Sequence, residues 1–318
     1  MMPYPTKALG IPYIGNKWAH MNMFSAALPA GDPKRNQYLD LTFGCGICSV
    51  FMYELGCRTF IANDASPYPR LIAKALLGNN AKPLASEEIL DRVHAGYKRG
   101  WTADNVTTSA IRRRTACTID AMCAANQDSP LMLVSIAAVL SNGAMSDFRY
   151  GTTKHWSADD FRMLVIKKAA RLNMRIGKGC STRITTKDYL NIDEDLASLK
   201  GFICYLDPAW PAQPEAGRKH IGNDKVYGFY AQKLMSVLRQ EDMPMPAEYS
   251  VTLDECYEGM RRTIELLREE NTVLIAYQSR PDVVDEVKNE LLGGLSYNEF
   301  EEQRKQGTKL WEYLWRII

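Results

Sequence analysis

Asp207-Pro208-Ala209-Trp210 sets a carboxylate, a rigid ring and an indole in four consecutive residues. The set suits a planar nitrogenous group. The carboxylate and the Pro208 carbonyl can accept hydrogen bonds from an exocyclic amine, proline fixes the turn, and the indole can stack on a base. Phe43-Gly44-Cys45-Gly46 is a second such stretch, because glycine has no side chain to keep a ligand from the backbone. Asp64 follows at the spacing at which an acid hydrogen-bonds ribose hydroxyls in nucleotide-binding units. Tyr13 and Lys17, four apart around Gly15, offer a ring and a cation to one pocket. Each stretch also has a plainer reading. The first serves equally as a strand-terminating turn with a core Trp, and the third as an arm packed on a sheet. The glycine pair fits any turn of an α/β sheet, since Ser49 stands where the third glycine of G-x-G-x-x-G would be.

These residues need a sheet to hold them, and the apolar patterning supplies one. Residues 38–43 read as a short buried strand, Ile47 to Leu55 as a helix and Arg58 to Ala62 as a second strand ending at Asn63-Asp64. Strand, glycine turn, helix and strand make a parallel unit that binds ligands above its strand ends. Residues 86–98 read as an amphipathic helix, Arg183 to Thr186 as a strand before Lys187-Asp188-Tyr189, and Gly201 to Leu206 as a buried strand that delivers Asp207. A helix over Tyr257 to Arg268, a strand over Thr272 to Tyr277, a helix over Asp282 to Leu292 and a strand over Leu310 to Ile317 follow. The α/β pattern thus stands at both ends of the chain, with a mostly helical stretch between. We expect a catalytic domain from 1–98 and 181–318 and an inserted domain from 99–180.

Composition sets the class. With 318 residues, 46% hydrophobic and 24% charged, the chain is neither disordered nor low in complexity. Its longest apolar stretch, Leu131 to Leu140, falls short of the roughly 18 residues a membrane span needs. No basic segment leads into an apolar one at the N-terminus, which points to the cytoplasm. The eight cysteines are expected as thiols. Cys45 and Cys48 have no second pair, and none of His20, His94, His155 and His220 sits at ligand spacing, so no metal is expected.

The net charge of +2 is uneven. From Lys98 to Leu190 fifteen basic residues face seven acidic ones, a net of +8, which leaves −6 on the remainder. Arg112-Arg113-Arg114 form one cluster. Arg162, Lys167, Lys168, Arg171, Arg175, Lys178 and Arg183 form another, and Lys154 lies between them. A segment so biased suits a phosphate backbone, although any one cluster also suits a solvated helix face.

The order of the motifs resembles the alpha-group, Dam-like DNA adenine-N6 methyltransferases. Tyr13-Ile-Gly-Asn-Lys17 matches a Y-x-G-G-K-like opening, with Asn16 for the second glycine. Asp40-Leu-Thr-Phe43-Gly44-Cys-Gly46 matches a D-x-F-x-G-x-G-like cofactor loop, and Asp64 the acid that closes the next strand. Asp188-Tyr189 matches a D-F-like pair, and Asp207-Pro208-Ala209-Trp210 a D-P-P-Y-like tetrapeptide in which Ala-Trp replaces Pro-Tyr. The match covers about residues 10–70 and 180–318, while the insert agrees in position and charge alone. The resemblance implies a Rossmann-like S-adenosylmethionine-dependent methyltransferase sheet with a helical target-recognition insert. It implies S-adenosylmethionine bound by Tyr13, Lys17, Asp40, Phe43, Gly44, Gly46, Asp64, Asp188 and Tyr189, with Asp64 on the ribose and Asp188 on the adenine amine. It further implies double-stranded DNA as partner, held by Arg112, Arg113, Arg114, Lys154, Arg171 and Arg175. Asp207, Pro208 and Trp210 would receive a flipped-out base. Other readings stay open: a related transferase acting on RNA or a modified base, or a retired fold that only binds nucleic acid.

Overall fold

A computed structural model describes residues 9, 11, 17–28, 37–106, 111–142, 156–207, 232–244, 252–279, 281–303 and 311–318. Seven strands form one sheet: β1 (Gln37–Asp40), β2 (Thr59–Asn63), β3 (Ser181–Thr185), β4 (Ile203–Leu206), β5 (Thr272–Ser279), β6 (Tyr297–Gln303) and β7 (Trp311–Ile317). Their order is β3-β2-β1-β4-β5-β7-β6. The first five are parallel, and β7 runs antiparallel to both β5 and β6. The helices are α1 (Met21–Ala27), α2 (Ile47–Glu54), α3 (Pro67–Leu76), α4 (Ser86–Val93), α5 (Trp101–Asn105), α6 (Arg113–Ala125), α7 (Pro130–Asn142), α8 (Ala158–Asn173), α9 (Glu194–Ala197), α10 (232–239), α11 (Leu253–Arg268) and α12 (Pro281–Leu292).

The chain divides into two compact units. The sheet unit draws on Asn16–Ser66, Cys180–Gly228 and Pro246–Ile318, and the helical unit on Met1–Gly15, Pro67–Gly179 and Phe229–Met245. The middle segment of the helical unit therefore starts at Pro67 and not at the expected residue 99, and Met1–Gly15 and Phe229–Met245 join it. The reason is packing: α3 lies on α7 and α4 lies on α8, so both helices belong with the segment expected as an insert.

In the sheet unit, β4 is buried along its whole length, as parallel strands covered on both faces are. Tyr257, Met260, Ile264 and Leu267 form one stripe of α11 and join Leu39, Cys204, Leu206 and Ile275 in the core. Thr252 and Glu255 close the start of α11 with a reciprocal capping box. Tyr277, Trp315 and Tyr313 stack in series where β5 meets β7. The sequence reading passes over β6, whose Tyr-Asn-Glu-Phe-Glu-Glu-Gln lacks an apolar run. It is the edge strand, and its exposed acids suit an edge.

In the helical unit, α7 is apolar all round because other helices enclose it. Among the described residues no helix is long and apolar enough to cross a membrane. Buried Asp120 accepts the backbone N–H groups of Gly100, Thr102 and Ala103, which fixes the start of α5 against α6.

Candidate functional site at the carboxyl ends of β1 to β4

In an open parallel sheet, ligands sit beyond the carboxyl ends of the strands, where the strand order reverses. Here the reversal lies between β1 and β4, which are paired neighbours. Four acids stand at the ends of four adjacent strands: Asp188 beyond β3, Asp64 beyond β2, Asp40 at the end of β1 and Asp207 beyond β4.

The glycine turn after β1 is held from several directions. Gly44 and Gly46 have φ of 53° and 73°, the left-handed region that side chains rarely enter. A Cβ on Gly46 would also lie 2.4 Å from the Phe43 ring. The Gly44 N–H donates to Asp64 Oδ2 at 3.0 Å, and the Ser66 N–H to Asp64 Oδ1 at 2.9 Å. Asp64, expected on a ribose, thus already holds the turn. Asn63, fully buried, ties three strand ends together. Its amide donates to the Leu41 and Lys187 carbonyls and its Oδ1 accepts from Thr185 Oγ1 and the Lys187 N–H. The Asp207 N–H donates to Thr42 Oγ1 at 2.7 Å, which ties the end of β4 to the turn after β1.

Asp40 is buried. Its Oδ2 accepts from Ser49 Oγ at 2.7 Å, which gives the residue in the third-glycine place a task of its own. Its Oδ1 has no partner of sound geometry among the described residues, although the Thr42 N–H lies near enough to favour the charged form. Burial pushes the carboxyl up to about 7, Ser49 opposes the shift, and the charges of Asp64 and Asp207 add to it.

Lys17, in the 3-10 turn Lys17–His20, is expected on the cofactor, but its buried ammonium meets two carboxylates. It lies 2.9 Å from Glu312 Oε2 on β7 and 3.2 Å from Asp207 Oδ1. Burial alone would lower its pKa, but the two acids outweigh that and hold it above the ordinary lysine value. Asp207 is pushed up to about 6, by burial first. Lys17 pulls it down, Glu312 pushes it up, and the Tyr205 hydroxyl favours the charge. His20 joins the cluster, with Nδ1 3.2 Å from Glu302 Oε2 and Nε2 3.9 Å from Glu312 Oε1.

Asp188 is exposed and accepts the Leu190 N–H at 2.9 Å. Tyr189 packs against the core, and its carbonyl accepts from Thr263 Oγ1 at 2.7 Å. Tyr13, Pro208, Ala209, Trp210 and Lys154 lie outside the described residues. Among the described residues no group of three or more His, Cys, Asp or Glu could hold a metal, and all eight cysteines are free.

In the helical unit, Arg112, Arg113 and Arg114 are exposed at the start of α6. Two basic runs far apart in sequence meet there. Arg114 and Arg162 each lie 5.2 Å from the ring of half-exposed Tyr97, and Arg114 donates to its hydroxyl at 3.0 Å. Farther along α8, Lys167, Lys168 and Arg171 line a cavity of about 250 Å³ with Val139 and Leu164. Arg175, half-buried, follows just beyond α8. Sequence reasoning missed Tyr97, Asn63 and Glu312. Only Glu312 left a signal, a lone acid in the otherwise apolar opening of β7.

The fold and the site define an α/β protein with a seven-stranded mixed sheet, compatible with a Rossmann-like fold, whose acids gather at the point of strand-order reversal. A comparison with protein-family models and with curated proteins finds no match for the chain.

Proposed function

We propose that the protein is an S-adenosylmethionine-dependent DNA methyltransferase acting at adenine N6 of a flipped-out base. One observation carries the reading. Asp207 is hydrogen-bonded into the turn that contains Gly44 and Gly46, so the amine-accepting acid and the cofactor loop share one sheet end. One feature of the site fits a polar ligand: the buried Asp40 Oδ1 has no hydrogen-bond partner among the described residues.

S-adenosylmethionine supplies a methyl carbon made electrophilic by its sulfonium. The chain's own residues do the rest. Gly44 and Gly46 let the backbone approach the cofactor, and Asp188, exposed beyond the end of β3, receives the adenine amine. Asp207 and the Pro208 carbonyl accept the hydrogens of the target amine, which leaves the nitrogen lone pair less drawn into the ring. Trp210 is the stacking surface for the base. Positioning in a pocket poor in water dominates such a reaction, since no covalent intermediate with the protein is needed. The exposed Arg112, Arg113 and Arg114, joined by Arg162 at Tyr97, supply the charge that holds the DNA backbone.

Incubation with radiolabelled S-adenosylmethionine and duplex DNA or RNA, followed by nucleoside analysis, tests this. Label in N6-methyl-2′-deoxyadenosine is expected. Label confined to RNA or to another base would move the protein to a different target. A chain that takes up no S-adenosylmethionine in calorimetric titration would refute the enzyme.

A further inference from the structure

Glu312 is out of place by hydrophobicity. It sits in β7 with 2% exposure, beside Tyr313, Leu314 and Trp315, which are also buried. An ionised carboxylate loses several kcal/mol of hydration at such a site unless other charges replace the water. Lys17 provides that replacement, but it is shared. Its ammonium is 2.9 Å from Glu312 and 3.2 Å from Asp207, so a buried acid and a partly exposed one divide one cation. The sharing has a chemical consequence. A lysine carries a compact charge on a flexible stem. If Asp207 were its sole partner, the ammonium would close onto that carboxylate and compete with any amine brought to it. Glu312, on β7 and 295 residues along the chain, holds the ammonium to a second carboxylate at 2.9 Å.

We propose that Glu312 is a positioning residue: it anchors the Lys17 ammonium beside Asp207 and so governs how the Asp207 carboxylate is aimed and charged when a target amine arrives. This rests on the methyl-transfer reading above. The described groups that bear on Asp207 include Lys17, Glu312, Tyr205, Asp40 and the thiols of Cys45 and Cys48, with His20 and Glu302 behind Glu312.

The signs are fixed by charge. Glu312→Gln keeps the shape and a carbonyl acceptor but removes a negative neighbour, so Asp207 should titrate at lower pH. Lys17→Met removes the positive neighbour, so Asp207 should titrate at higher pH. A shift of about one pH unit in either direction is expected for a charge at this range. Carbon-13 NMR of the full chain labelled at aspartate carboxyls reads this directly, with Asp207→Asn and Asp40→Asn assigning the two signals. The acid limb of kcat/KM against pH should move with the Asp207 signal, and Glu312→Asp, which restores the charge, should return it toward the wild-type position. If Lys17→Met does not fold, Glu312→Gln alone decides. Methyl transfer whose acid limb and Asp207 signal both ignore Glu312→Gln overturns the inference and leaves the reaction standing. An Asp207 signal that shifts in a chain without methyl transfer keeps the coupling and removes the reaction.

Discussion

The Gly44 backbone N–H donates to Asp64 Oδ2 at 3.0 Å, so the turn that follows β1 is held by the acid that follows β2. Asp64 also accepts from Ser66, and one side chain thereby fixes both the turn and the start of the segment leaving β2. Replacing it removes a structural brace and, on the proposed reading, a ligand contact. Asp64→Ala should lower stability by about 1–3 kcal/mol, the cost of leaving backbone donors without their partner, and should weaken S-adenosylmethionine binding. Urea unfolding and calorimetric titration measure the two effects. Unchanged affinity in a folded variant would remove Asp64 from the cofactor site.

Gly46→Ala tests the same turn from the other side. The left-handed φ of 73° and the Phe43 ring 2.4 Å from the added Cβ both oppose a side chain. Backbone strain of this kind costs about 1–3 kcal/mol before the contact with Phe43 is counted. Shortening Phe43 to Leu in the same chain should recover part of the loss. A thermal midpoint equal to wild type in the single variant would show that the turn adopts another shape.

Asp40 makes stability depend on pH in an unusual direction for a carboxylate. Its folded pKa of about 7 exceeds the ordinary 3.8, so the folded protein binds this proton more tightly than the unfolded chain does. The stability it contributes is complete below pH 4 and is lost as pH climbs to about 7, with an upper size on the order of 4 kcal/mol. Asp40→Asn should lose this slope and gain on wild type at pH 8. Urea unfolding at pH 5 and pH 8 gives the comparison, and the same pH difference in both proteins would show that Asp40 is already ionised in the fold at pH 5 and that its pKa is not raised.

Asp207 should be ionised to accept an amine, and it is held up to about 6. Activity should therefore climb as pH passes through about 6 and level off above it. Asp207→Asn, which cannot carry the charge, should lose at least about 100-fold in turnover, within the range known for removing one positioned electrostatic group, while still binding S-adenosylmethionine. Full turnover by this variant would reject Asp207 as the amine acceptor.

The basic face of the helical unit predicts a salt signature. Removing the three charges of Arg112, Arg113 and Arg114 as Gln should flatten the dependence of log affinity on log salt by up to about 2.7, at roughly 0.9 per phosphate contact. Fluorescence anisotropy with duplex DNA at several salt concentrations reads the slope. A slope equal to wild type would place the DNA elsewhere on the protein.

Much of the sheet was legible in the sequence, because short apolar runs bounded by glycine or acidic residues carry the strand signal locally. β4, β5 and β7 fall close to where that patterning puts them, as do α2, α11 and α12. The acids at positions 40, 64, 188 and 207 were legible for the same reason, since each ends or follows a strand. The edge strand β6 was not, because its polar alternation lacks a buried face. The membership of α3 and α4 in the helical unit was not either, because it follows from which helices pack together and no local pattern records that.

The sequence by itself determined the residue types and the strand ends that carry them. Only the tertiary structure decided which charges meet. Lys17, Asp207 and Glu312 come from three distant places in the chain, and Tyr97 gathers Arg114 and Arg162 from two more. Periodicity reports how one element faces its core, whereas an ion pair across a sheet depends on strand order, and strand order is settled by packing the whole unit at once.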